Sequence, residues 1–175
     1  MKVIGLAGWS GAGKTTLLAR LVPQLVSEGL RVSTIKHAHH RFDLDTPGKD
    51  SWMHRQAGAT EVLISSERRF ALMHELRGAS ELTLRELLPK LSPVDLVIVE
   101  GYKATTPRKI EVHRVGNGKP LLYPHDPLIV GIATDGPLER GLPSVHLDDI
   151  EGVAAMVRKY AVPVADVLAR EPQDG

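Results

Sequence analysis

Gly8-Trp9-Ser10-Gly11-Ala12-Gly13-Lys14-Thr15 satisfies every fixed position of the phosphate-loop (Walker A) pattern G-x-x-x-x-G-K-[ST]. The residue types explain the chemistry. Glycines at 8, 11 and 13 permit a tight turn that points several backbone N–H groups at one anion. A helix that starts at the end of the loop adds unpaired N–H donors and a partial positive charge. Gly8, Ser10, Gly11, Ala12, Gly13, Lys14, Thr15 and Thr16 are therefore the expected nucleotide-binding residues. Lys14 is expected at the β- and γ-phosphates, and the Thr15 hydroxyl on Mg²⁺. Such sites also use a carboxylate at the end of a neighbouring apolar strand. Glu100 closes the run Leu96-Val97-Ile98-Val99 and has that position. Asp95 starts the same run and so belongs at the opposite edge. Lys14 and Glu100 would carry any hydrolysis. With only oxygen ligands proposed, Mg²⁺ is favoured over softer metals.

A second polar cluster follows the expected second strand: Lys36, then His37, His39 and His40, then Asp43, Asp45 and Asp50. Three histidines in four residues invite a zinc reading. Adjacent residues do not converge on one ion, however, and no cysteine accompanies them. The preferred reading is a loop near the γ-phosphate. There Asp43 or Asp45 orients a water or touches the metal, Lys36 adds charge, and Asp50 caps a helix or holds a metal-bound water.

The elements that must position these groups alternate. Lys2–Ala7 reads as a strand and Lys14–Ser27 as a helix, with Gly29 as its stop. Leu30–Lys36 reads as a strand, Asp50 or Ser51 through Ala57 as a short helix, and Glu61–Ser65 and Arg69–Glu75 as two strands. Thr83–Leu88 is a short helix. Asp95–Gly101 and Leu128–Ala133 are continuous apolar runs of the kind buried on both faces of a parallel sheet. Lys109–Arg114 alternates apolar and charged residues, which predicts a half-exposed edge strand. Asp148 or Asp149 begins a helix through Tyr160, and Val164–Arg170 a last turn or two. The fold expected is three-layer α/β, P-loop NTPase-like, with a mostly parallel sheet flanked by helices. Its ligands would sit at the carboxyl ends of the strands. One domain over 1–170 with a frayed tail at 171–175 is the expectation.

Composition excludes several classes. A net charge of +1 gives no general pull toward nucleic acid or anionic lipid, and two Phe, three Tyr and two Trp make a poor stacking platform. Zero cysteines fit a reducing compartment. No apolar run approaches the roughly 20 residues a membrane span needs. A soluble cytoplasmic protein, binding neither nucleic acid nor membrane, is expected.

Taken in order, the phosphate loop, Thr34–His37 (T-I-K-H), Asp43–Ser51 (D-x-D-x-x-G-K-D-S), Ala57–Ala59 (A-G-A), Val99–Lys103 (V-E-G-Y-K) and Lys109–Arg114 (K-I-E-V-H-R) carry a family likeness. The chain, over residues 1 to 135, resembles the MobB-type molybdopterin-guanine dinucleotide biosynthesis adapter proteins. The resemblance implies a GTP- and Mg²⁺-binding homodimer with weak GTPase activity. Such a protein works beside the MobA-type guanylyltransferase that makes the guanine dinucleotide form of the molybdenum cofactor, and supplies or positions GTP or molybdopterin. Some related dimeric switch proteins carry an extra lysine early in the loop. Trp9 stands there, so no lysine is expected to cross the dimer. No Asn-Lys-x-Asp guanine reader occurs. Asp135, after a buried strand, is the candidate acceptor from guanine N1–H and N2–H₂. The edge strand Lys109–Arg114 is expected at the dimer, with His113 and Arg114 facing a groove for an anionic pterin phosphate. A small-molecule kinase and a metallochaperone-type GTPase are the alternatives. The histidines favour the latter; the missing cysteines and the lack of a His-rich tract disfavour it.

Overall fold

The structure is a computed structural model that describes residues 1–38, 42–102, 105–137 and 141–169. His39, His40 and Lys103, named above for their chemistry or motif, and the expected tail at 171–175 lie outside the described residues. The chain divides into two compact units: Met1–His37 with Thr83–Gly175, and Ala38–Leu82.

The first unit holds strands β1 (Lys2–Ala7) and β2 (Val32–Lys36) and helix α1 (Lys14–Ser27). The second unit holds α2 (Asp50–Gln56), β3 (Glu61–Ser65) and β4 (Phe70–His74). The chain then returns to the first unit with α3 (Leu84–Leu87), β5 (Leu96–Glu100), β6 (Lys109–His113), β7 (Ile129–Thr134), β8 (Ser144–His146), α4 (Ile150–Tyr160), β9 (Val162–Pro163) and α5 (Val164–Ala169).

The sheet of the first unit runs β2-β5-β1-β6-β7-β8. All five of those pairings are parallel, and β9 pairs antiparallel with Lys2 and Val3 of β1. Side-chain alternation along β1 and β5 builds two cores. Ile4, Leu6, Leu96 and Ile98 face α1 (Leu17, Leu21, Leu25) and α4 (Val153, Ala154, Val157). Val3, Val97 and Val99 face Leu84, Leu88 and the α5 residues Val164 and Val167. Both faces are covered, which is why β5 reads as an unbroken apolar run. In α1 the buried leucines recur every four residues, one stripe of a helix. The helix ends where Gly29 takes φ +87°. Helix α4 is capped by Asp149, whose side chain accepts from the Gly152 amide at 2.9 Å. Helix α3 carries a Thr83–Glu86 capping box. In α2, Asp50 is the first helical residue and Lys49 holds the cap position without a side-chain cap.

The expected edge strand is overturned. β6 lies inside the sheet, between β1 and β7, with its first four residues buried. The alternation has another cause than solvent. Ile110 and Val112 face the α1–α4 core, and the charged residues on the opposite face are satisfied internally. The Lys109 ammonium sits 2.6 Å from Asp126 Oδ2. Glu111 is 0% exposed and accepts the amides of Leu122 at 2.7 Å and Tyr123 at 2.9 Å, one on each oxygen. Burial pushes its carboxyl above the ordinary range, against the two amide bonds.

In the second unit, β3 and β4 form an antiparallel hairpin that leaves Leu63, Ile64, Phe70 and Leu72 exposed. Arg55 staples this unit: its guanidinium meets Asp43 at 2.7 Å, Glu75 at 2.7 Å and Asp45 at 3.4 Å.

Candidate functional site

Register decides which groups share one edge. Leu6 pairs with Glu100, Ala7 with Glu111, and His113 with Thr134. The loop after β1, Glu100, Arg114 and Asp135 therefore all leave the sheet at its carboxyl edge. Asp95 lies at the other edge, where its carbonyl accepts from the Lys2 amide at 2.9 Å. There Arg31 holds its carboxyl down at about 2.

The loop turns as its glycines allow. Gly8, Gly11 and Gly13 have φ of +145°, +81° and +92°, values L-residues rarely adopt. Gly13 is the N-cap of α1. A β-carbon at Gly8 would come within 3.0 Å of the Val112 carbonyl oxygen, so this position is closed to side chains twice over. The Lys14 ammonium folds back to donate to the carbonyls of Gly8 (2.8 Å) and Trp9 (3.0 Å). Thr15 and Thr16 are exposed in the first turn of α1. This is a loop of backbone donors at a helix N-terminus with an ammonium beside it.

Glu100 is mostly buried at the end of β5, and its Oε2 lies 4.0 Å from the Lys36 ammonium. Gly101 follows with φ +99°, and a β-carbon there would come within 3.0 Å of His37. The Thr15 hydroxyl and Glu100 carboxylate are hard oxygen donors, a set suited to Mg²⁺ completed by phosphate oxygens and water. Among the described residues no group of three or more His, Asp or Glu side chains is placed to hold a metal unaided. Asp43, Asp45 and Asp50 belong to the second unit. The Asp45 carboxylate accepts from the Ser51 hydroxyl (2.7 Å) and the Thr46 amide (3.0 Å), besides its contact with Arg55.

Asp135 stands at the edge as its strand predicts, with both oxygens engaged. Oδ1 accepts the Val115 amide at 2.8 Å, and Oδ2 faces Arg114 Nη1 at 3.4 Å. His113 Nδ1 meets the Thr134 hydroxyl at 3.0 Å.

The structure adds groups that sequence reasoning gave no part in the loop. Asn117 donates Nδ2 to the Ser10 carbonyl at 3.0 Å, the Pro120 carbonyl accepts the Trp9 indole N–H at 2.8 Å, and Arg114 lies against Gly13. No local motif marks Arg114, Asn117 or Pro120; their one signal is that they follow a strand whose register ends beside the loop.

Fold and loop together define a three-layer α/β protein with a phosphate-loop sequence at its first strand–helix junction. The family model for molybdopterin guanine dinucleotide synthesis protein B matches residues 3–135. The molybdopterin-guanine dinucleotide biosynthesis adapter protein of Escherichia coli (strain K12) is 40% identical over 161 residues, spanning 90% of this chain and 92% of that protein. The adapter protein of Haemophilus influenzae is 36% identical over 159 residues, spanning 90% of this chain and 88% of its own. The crystal structure of a molybdopterin-guanine biosynthesis protein B superposes with a TM-score of 0.72 at 28% identity, covering 90% of this chain and 98% of that one. A MobB homologue from Bacillus stearothermophilus gives 0.64 at 26%, with the same coverage. This chain belongs to the MobB family.

Proposed function

We propose that this protein is a GTP-binding adapter in the synthesis of the molybdenum cofactor's guanine dinucleotide form, acting with the MobA-type guanylyltransferase and turning GTP over slowly. The observation that carries the reading is the loop from Gly8 to Thr15. Three positive-φ glycines, a helix N-terminus capped by Gly13 and the folded-back Lys14 ammonium lie together in that one loop, the elements an anion site uses. The near full-length likeness to adapter proteins supports the pathway. Lys14 leaves its two carbonyls for the phosphates, and Thr15 and Glu100 hold Mg²⁺. The metal offsets phosphate charge. No Gln follows Glu100 in the sequence, where Tyr102 stands two residues on, and this supports slow hydrolysis. The exposed apolar side chains of the β3–β4 hairpin support a homodimer.

Lys14→Ala tests the site. It removes charge-assisted hydrogen bonds worth about 1.5–3 kcal/mol each, so calorimetry should show GTP·Mg²⁺ affinity falling by roughly ten- to a hundredfold or more, with circular dichroism showing that the variant is folded. Equal affinity in variant and wild type would refute the site. Turnover well above about 1 s⁻¹ without a partner would favour an ordinary enzyme over an adapter.

A further inference from the structure

Arg114 is the first residue beyond β6, and its side chain lies on the phosphate loop. A β-carbon at Gly13 would meet Nη2 at 3.4 Å and Nε at 3.5 Å. The guanidinium thus occupies the space that Gly13 keeps open at the start of α1. Its carboxylate contact is Asp135 Oδ2 at 3.4 Å, and the Val115 amide fixes that carboxylate through Oδ1 at 2.8 Å. Asn117 Nδ2 ties the same connection to the Ser10 carbonyl. The chain after β6 is therefore pinned along the loop.

Electrostatics make this placement informative. The amino end of α1 is its positive end, and Lys14 already stands on the loop. A second cation at that spot is repelled by both, and for a half-exposed guanidinium the Asp135 carboxylate at 3.4 Å, with the more distant Asp148 already paired to Arg20, offsets little in water. The arrangement becomes favourable when an anion carrying more than one charge lies between the cations. A guanidinium suits this better than an ammonium, because its fork meets two phosphate oxygens at once.

We propose that Arg114 is a cationic contact, supplied by the same chain, for the phosphates of the bound nucleotide, and that Asp135 is a positioning residue holding it over Gly13. This rests on the nucleotide reading above. It gives Asp135 a different task from the guanine acceptor expected from sequence, and the two tasks have different signatures. An acceptor for guanine sets the ratio of GTP to ATP affinity. A carboxylate that positions Arg114 sets the affinity for both triphosphates together.

The test measures GTP·Mg²⁺ and ATP·Mg²⁺ affinity by calorimetry for wild type, Lys14→Ala, Arg114→Gln, Arg114→Lys and Asp135→Asn, each checked for folding by circular dichroism. Arg114→Gln should weaken both triphosphates by roughly ten- to a hundredfold, the equivalent of losing one charge-assisted contact. Arg114→Lys should recover part of the loss. Asp135→Asn should weaken both by one shared, smaller factor. If wild type binds and Lys14→Ala does not, yet Arg114→Gln binds like wild type, this inference falls and the site stands. If Asp135→Asn changes the GTP-to-ATP ratio alone, the positioning role falls. Should Arg114→Gln fail to fold, the lysine and asparagine variants decide by the same criteria. If wild type binds no triphosphate, the nucleotide reading itself is refuted.

Discussion

Replacing Gly8 by alanine probes the joint between the sheet and the loop. Gly8 has φ +145°, and a β-carbon there would come within 3.0 Å of the Val112 carbonyl oxygen, with the Ala12 β-carbon at 3.5 Å. Val112 is a backbone neighbour in a buried central strand, so it has no rotamer into which to retreat. Holding a side chain at such a φ costs about 1–3 kcal/mol, and an extra carbon forced into a packed interior about 1–3 kcal/mol more. The variant should lose about 2–6 kcal/mol, which at roughly 2–4 °C per kcal/mol lowers the melting temperature by about 4–24 °C. Gly29→Ala is the matched control. Gly29 also has a positive φ, +87°, but nothing lies within 4 Å of its would-be β-carbon. That variant carries the backbone strain alone and should fall by only about 2–12 °C, about half the Gly8 shift. Thermal unfolding followed by circular dichroism separates the two. A Gly8→Ala melt no lower than that of Gly29→Ala would refute the claimed contact between the loop and β6.

Glu111→Ala strands the Leu122 and Tyr123 amides and should cost about 2–5 kcal/mol; hydrogen exchange at those two amides should speed up ahead of the rest of the sheet. Asp95 titrates at about 2 in the fold against its ordinary 3.8, so its ionised form favours the folded state. That contribution is complete above about pH 4 and is lost as the pH falls toward 2. Asp95→Asn should therefore flatten the stability-against-pH curve in that window and no other, as urea titrations across pH would show. If the hairpin forms the dimer, Leu63→Ser with Leu72→Ser should shift the protein to monomer in light scattering while the Gly8–Thr15 loop still binds GTP.

What the sequence determined was local. Lys2–Ala7 and Lys14–Ser27 have the ends that an apolar run, three glycines and Gly29 dictate, because a strand's apolar content and a helix's caps depend on neighbours a few residues away. Glu100 and Asp95 fell at opposite edges for the same reason: a five-residue strand carries its two ends to two sides of the sheet. Tertiary structure decided the fate of Lys109–His113. Alternating charge reads as solvent exposure until Asp126, Leu122 and Tyr123, 11 to 17 residues onward, supply the partners that let Lys109 and Glu111 go inside. The same holds for Arg114 and Asp135, which are 21 residues apart and meet because β6 and β7 lie side by side. Periodicity records which side chains avoid water; it does not record which distant groups will pair to make burial affordable, and only strand register brings those groups together.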